Sequence, residues 1–195
     1  ITKIYSGAGY LKGSDDFLIT KRQFRSPHHT ASAVALVGGG TNPRPGEISL
    51  AHRGVLFLDE FPEFNRDVLE SLRQPLEEGK ITVSRVAHSI TYPAKFLLVA
   101  AMNPCPCGNY QNSRKECVCA PGAVLRYQKK ISGPLLDRFD IRLEVPQEDP
   151  KKLKEEADLG ELIKIKKAIE LAKGKQLERF KARPIFSNSE MANRE

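Results

Sequence analysis

The sequence predicts an α/β fold: a parallel sheet flanked by helices. Two observations carry that expectation. Three short apolar runs, Val55–Asp59, Phe96–Met102 and Ile141–Val145, read as buried strands. The first two are separated by a segment with helical spacing, and strands alternating with helices join in parallel with helices on both faces.

The elements follow in order. In the helix after the first run, Asn65 is the expected N-cap, Val68, Leu69, Leu72 and Leu76 share one face, and Gly79 ends it. Pro75 falls near its end and is expected to bend it, because proline offers no N–H to the preceding turn. The stretch "KITVSRVAHSITYPA" alternates in two runs around Val86–Ser89 and predicts a β-hairpin. From Asp158 the pattern is helical again. Leu162, Ile165, Ile169 and Ala172 share a face, and Asp158 with Glu161 has the form of a capping box. Pro146 and Pro150 bracket a linker. The expected division is an α/β core over 1–146, then a linker and the beginning of a helical unit over 147–195.

Composition narrows the class without naming a function. The formal net charge of +7 and a pI near 9.3 permit a nucleic-acid partner but do not require one. The apolar runs are far too short to span a bilayer, and the first residues carry no signal-peptide pattern, so the expectation is a cytoplasmic protein without a membrane partner.

The first strand raises a question of its own. In "HRGVLFLDEFPE" four apolar residues run straight into Asp59 and Glu60. In parallel α/β sheets ligands bind beyond the carboxyl ends of the strands, where these two acids stand. One acid can hold Mg²⁺ through its waters, and the next can orient or deprotonate an attacking water. The pattern resembles the Walker B element of ATPases; the competing reading is an acidic cap on the next helix. The second strand runs into "LLVAAMNPC", which places Asn103 at its carboxyl end, where an amide can reach a γ-phosphate or a water. The competing reading there is an Asn-Pro turn. Arg138, in "SGPLLDRFDI", precedes the third run and has the position of an arginine finger; the alternative is a surface salt bridge with Asp137 or Asp140.

Taken together, "FRSPHHTASAVALVGGGTNPRPGEISLAHRGVLFLDEFPEFNRDVLESLRQPLEEGKITVSR", "AAMNPCPCG" and "ISGPLLDRFDI" closely resemble the Mg-chelatase-like AAA+ proteins, and within them the competence-related ComM/YifB group. The resemblance is nearly continuous over residues 1 to about 150. It implies a partial AAA+ P-loop NTPase core with a helix-2 insert, a pre-sensor 1 β-hairpin and the start of a helical lid. It implies ATP and Mg²⁺ as cofactors, hydrolysis in a ring, expected to be a hexamer, and DNA branch migration. Asp59 and Glu60 then match the Walker B acids, Asn103 matches sensor 1 and Arg138 the finger, with Asp59 and Asn103 also contacting the bound nucleotide.

The resemblance has limits along the chain. No G-x-x-x-x-G-K-[ST] occurs, and "VGGGTNPRPG" has the glycines without the Lys-Ser/Thr. By the family pattern that stretch belongs to the helix-2 insert, and the P-loop is expected before Ile1. Residues 1–195 alone are therefore expected not to bind ATP, and to stop before any sensor 2 arginine.

Two loops are candidates for DNA. The hairpin carries Arg85 and His88 near its tip, and the insert carries Asn42 and Arg44. The competing reading is a solvated hairpin. His28 and His29 adjoin Pro27 and are expected at a strand end or helix cap, not at a metal. All four cysteines fall in "CPCGNYQNSRKECVC", as C-x-C-x9-C-x-C. Cys105, Cys107, Cys117 and Cys119 can close a tetrahedral zinc site around one loop; four reduced or redox-active thiols are the alternative. Two function classes stay open: a DNA-remodelling ring ATPase, or a protein-remodelling chaperone ATPase of the magnesium-chelatase motor type acting on a partner protein.

Overall fold

In the computed structural model the described residues are 1–11, 18–40, 43–84, 89–112, 114–146, 159–183, 185 and 187–191. The chain divides into two compact units, Ile1–Val145 and Pro146–Glu195. The first unit opens with α1 (Thr2–Gly7), β1 (Phe24–Arg25) and α2 (Ala33–Val37). A small antiparallel hairpin, β2 (Gly38–Gly39) and β3 (Arg44–Pro45), then separates α2 from α3 (Glu47–Leu50). This is the expected insert. Gly38, Gly39 and Gly40 all have positive φ, and a Cβ at Gly38 would lie 2.4 Å from the carbonyl oxygen of Arg44. Only glycine allows the chain to reverse so tightly there.

Next come β4 (Val55–Leu58), a 3₁₀ turn at Phe61–Glu63, α4 (Arg66–Glu70), α5 (Arg73–Glu78), β5 (Lys80–Ser84), β6 (Ser89–Pro93) and β7 (Leu97–Ala100). The main sheet has the order β1-β4-β7 and is parallel throughout. Val55 pairs with Leu97 and Leu58 with Ala100. Leu56 and Leu58 are buried on one face, against Leu36, Phe61, Leu69, Leu72, Ile81 and Leu135. Helices flank the sheet through that face. The opposite face is open among the described residues: Phe24 stacks on Phe57, and Phe24, Leu97 and Val99 are exposed.

The helix predicted between the strands exists, but it is broken. Asn65 is the N-cap position, although its side chain makes no capping bond and only its carbonyl accepts, from Leu69. The break falls at Ser71 and Leu72, between α4 and α5. Pro75 explains it, since it has no N–H to give to the Ser71 carbonyl four residues back. Gly79 ends α5 at φ 64, ψ 18, the left-handed cap. The predicted hairpin is β5–β6, paired from Lys80↔Pro93 to Ser84↔Ser89. Its tip, with Arg85 and His88, lies outside the described residues, as does Asn42.

One expected strand is absent. Residues Ile141 to Pro146 form no ladder, and Ile141, Leu143 and Val145 are all more than 70% exposed. Alternating apolar residues give a preference for extended chain, but a strand needs a neighbour to take its backbone groups, and no described strand lies beside this one. Before it come α6 (Pro121–Gln128) and α7 (Gly133–Leu136). In the second unit, α8 (Leu159–Arg179) confirms the predicted helix, with Glu161 in its first turn; Asp158 and Pro150 lie outside the described residues. The face formed by Leu162, Ile165 and Ile169 is exposed.

The backbones of β1 and β4 approach closely at Gly54. Val55 donates to the Gln23 carbonyl at 2.8 Å, and a Cβ on Gly54 would lie 2.0 Å from that same oxygen. Gly54→Ala should therefore force β1 and β4 apart and cost about 1–3 kcal/mol. Chemical denaturation measures this; a midpoint equal to wild type would mean that the strands yield without strain.

Candidate functional site

The β4–β7 ladder continues past both strands. Ala101 donates to the Leu58 carbonyl at 3.0 Å, and Phe61 donates to the Ala101 carbonyl at 2.9 Å. Asp59 is thus one residue beyond the last paired residue of β4, and Asn103 three beyond that of β7. Both are exposed, at the same end of the sheet. Asp59 and Glu60 form a sharp turn. Asp59 Oδ1 accepts from the Glu60 N–H at 2.8 Å, and Glu60 has left-handed backbone angles, φ 50 and ψ 42. That conformation costs a non-glycine residue roughly 1–2 kcal/mol. What holds it is the next residue. Phe61 is buried and meets the ring of Phe139 edge-on at 5.6 Å.

His29 completes this turn. It lies shortly after β1 and brings Nδ1 to 2.8 Å from Glu60 Oε2. His28 stacks beside it at 4.1 Å, and Phe64 meets it edge-on at 6.5 Å. The two histidines, expected at a strand end or helix cap, lie in the segment between β1 and α2, and the contact with Glu60 is new. The pattern "SPHH" gives no signal for it, because the partner belongs to a different strand.

The segment around Asn103 lies against α6. Tyr127 on α6 is buried, with the backbone of Asn103 near its hydroxyl. Burial, more than the nearby Glu63 carboxylate, pushes the Tyr127 phenol up. Gln128 Nε2 donates to the Pro104 carbonyl at 3.1 Å. Lys130 Nζ reaches Glu63 Oε2 at 3.1 Å and lies 5.6 Å from the Tyr127 ring centre. So α6 and the residues just after it touch both the Asn103 segment and the turn that follows Glu60.

Arg138 follows α7 and is exposed. Its guanidinium pairs with Glu77 on α5, not with Asp137 or Asp140; Arg142 is the residue near Asp137, at 3.9 Å. Arg44 is exposed on the insert hairpin. Tyr92 on β6 donates to the Pro43 carbonyl at 3.1 Å, so the insert and the β5–β6 hairpin are in contact.

The four cysteine sulfurs converge. Cys105 Sγ is 3.4 Å from Cys107 Sγ and 3.7 Å from Cys117 Sγ, and all four lie within 4.8 Å of one another. The Asn109 backbone N–H draws the Cys107 thiol down to about 6. For Cys117 the Cys119 N–H pulls the same way, but burial and the neighbouring thiols prevail and push it up to about 12. The group is compatible with a metal site.

A sequence model of the family "Magnesium chelatase, subunit ChlI" matches residues 1–153. The chain belongs to this magnesium chelatase family. It is 52% identical to the uncharacterized protein YifB of Salmonella typhimurium over 83% of this chain and 32% of that protein. It is 55% identical to the competence protein ComM of Haemophilus influenzae over 72% of this chain and 27% of that protein. A weaker similarity, 28% over 49% of this chain and 11% of the relative, is to the DNA replication licensing factor mcm-6 of Caenorhabditis briggsae. The chain spans about a third of the length of YifB and ComM. As a member of the Mg-chelatase-like ComM/YifB group, it is an AAA+ protein.

The Arg138–Glu77 pair is two-fifths exposed on both sides, which limits its contribution to stability to less than about 1 kcal/mol. Arg138→Ala should therefore melt with wild-type protein in this family member. A loss of several kcal/mol would make Arg138 a structural residue.

Proposed function

We propose that the whole protein is a ring-forming ATPase, expected to be a hexamer, that remodels DNA. Asp59 holds Mg²⁺, which neutralises charge on the phosphates. Glu60 orients the attacking water and takes its proton, with His29 fixing the carboxylate. Asn103 contacts the γ-phosphate or the water, and Arg138 acts on the nucleotide of the neighbouring subunit. The observation that carries this reading is the strained Glu60 turn beyond β4, with Asn103 beyond the adjacent strand. Backbone strain of this kind persists where the surrounding structure over-determines it, as at active sites. An arginine that serves a neighbour has to face outward, and exposed Arg138 does.

DNA is favoured over a protein substrate by three features. The chain carries a net charge of +7. Exposed Arg44 sits on a hairpin in contact with β5–β6, where it can meet a phosphate backbone. Relatives include a competence protein and DNA replication licensing factors. The protein-remodelling alternative rests on the name of the matching family.

Glu60→Gln in the full-length protein should bind ATP normally and lose turnover by about 10²-fold or more. Mixing it with Arg138→Ala subunits should restore part of that turnover, because each variant damages a different side of a shared interface. Normal turnover by Glu60→Gln alone would sink the assignment. For DNA, Arg44→Ala should lower the slope of log affinity against log salt by about 0.9, one phosphate contact. A full-length protein that binds no DNA, but whose turnover rises with a partner protein, would select the other class.

A further inference from the structure

The cysteine loop links two parts of the candidate site. It starts two residues after Asn103, at fully buried Cys105, and ends at Cys119, next to Ala120, the N-cap of α6. A tight turn begins it. Gly108 donates to the Cys105 carbonyl at 3.0 Å with φ 77, which turns Cys105 and Cys107 toward each other. A backbone group faces the sulfurs: the Tyr110 N–H lies 3.3 Å from Cys105 Sγ. N–H donors of this kind offset negative charge on thiolates.

The sulfur spacing discriminates between chemistries. The cysteines are all free, and a disulfide would bring two sulfurs to about 2.05 Å. A tetrahedron with zinc–sulfur bonds of about 2.3 Å has edges of about 3.8 Å. The Sγ–Sγ separations among Cys105, Cys107 and Cys117 are 3.4, 3.6 and 3.7 Å, close to that edge, and Cys119 Sγ lies within 4.8 Å of each. An iron–sulfur cluster would hold its cysteine pairs farther apart, because they bind different irons. An all-thiolate set with no carboxylate selects zinc over magnesium or calcium.

We propose that Cys105, Cys107, Cys117 and Cys119 hold one Zn²⁺ as four thiolates, and that this closed loop is the clamp that keeps Asn103 against α6. The loop has little else to order it. The segment 108–116 is polar apart from Tyr110, and closing it without a cross-link costs conformational entropy. With the loop closed, the Gln128–Pro104 hydrogen bond forms beside the Tyr127 hydroxyl, and Lys130, two residues past α6, reaches Glu63 in the turn after Glu60. Metal occupancy thereby sets the position of Asn103. Its effect on turnover rests on the role proposed for Asn103; the zinc site and the clamp do not.

The test uses full-length protein purified without added metal. Elemental analysis should find about one zinc per chain and no iron. Cys117→Ser and Cys119→Ser should each lose it. Where those variants fail to fold, a strong chelator on wild-type protein serves instead. Zinc removal should speed amide exchange across Asn103–Gln128 and leave β4 and β7 protected, and the ATP turnover number should fall more than KM rises. Zinc well below one per chain with four titratable thiols, or iron in its place, overturns the site. Zinc whose removal leaves exchange at Asn103–Gln128 unchanged overturns the clamp. A wild-type protein without turnover would count against the ATPase reading, while zinc content and exchange still decide this one.

Discussion

The register between β4 and β7 is the constraint on which the site depends. Leu58 faces Ala100 at the end of the ladder, and two further backbone bonds, Ala101 to Leu58 and Phe61 to Ala101, carry the pairing past the strands. Those bonds fix where Asp59 and Asn103 leave the sheet. A slip by one residue would turn Leu56 and Leu58 out of the core and move both polar groups together. The core on one face and the chemistry at one end are consequences of the same alignment.

Phe61 joins that alignment to the rest of the unit. Its backbone closes the ladder, its ring is buried, and the edge of the contact is Phe139, the neighbour of Arg138. The strained residue before it and the exposed arginine far along the chain are therefore held by one aromatic pair. His29 adds a polar tie from the β1 side and Lys130 one from the α6 side. Four segments distant in sequence converge on a turn a few residues long.

Much of this was legible in the sequence where the signal is local. The 3.6-residue spacing of Val68, Leu69, Leu72 and Leu76 gave the helix, Gly79 its end and Pro75 its break. Alternation gave the β5–β6 hairpin, and an apolar run ending in two acids gave β4. What failed or was missed is non-local. Ile141–Val145 has the composition of a strand, but composition cannot supply a neighbour. His29 was visible only as a residue near a strand end, since its contact with Glu60 depends on β1 and β4 lying side by side. The sequence offers adjacent acids as partners for Arg138, whereas the fold brings Glu77 to it from α5. The cysteine spacing announces a cluster just after Asn103, but not that its loop leads into a helix packed on the same segment.

The left-handed backbone at Glu60 sets stability against chemistry. Glycine and asparagine adopt that conformation at less steric cost than glutamate. A laboratory selection for thermal resistance alone would thus favour replacing the carboxylate, and, under the role proposed for Glu60, a selection for turnover would restore it. Such trade-offs are common where a site needs a side chain its backbone disfavours. A thermostabilised variant of this protein is best sought with position 60 held fixed, because under the role proposed for Glu60 that is where robustness and function pull in opposite directions.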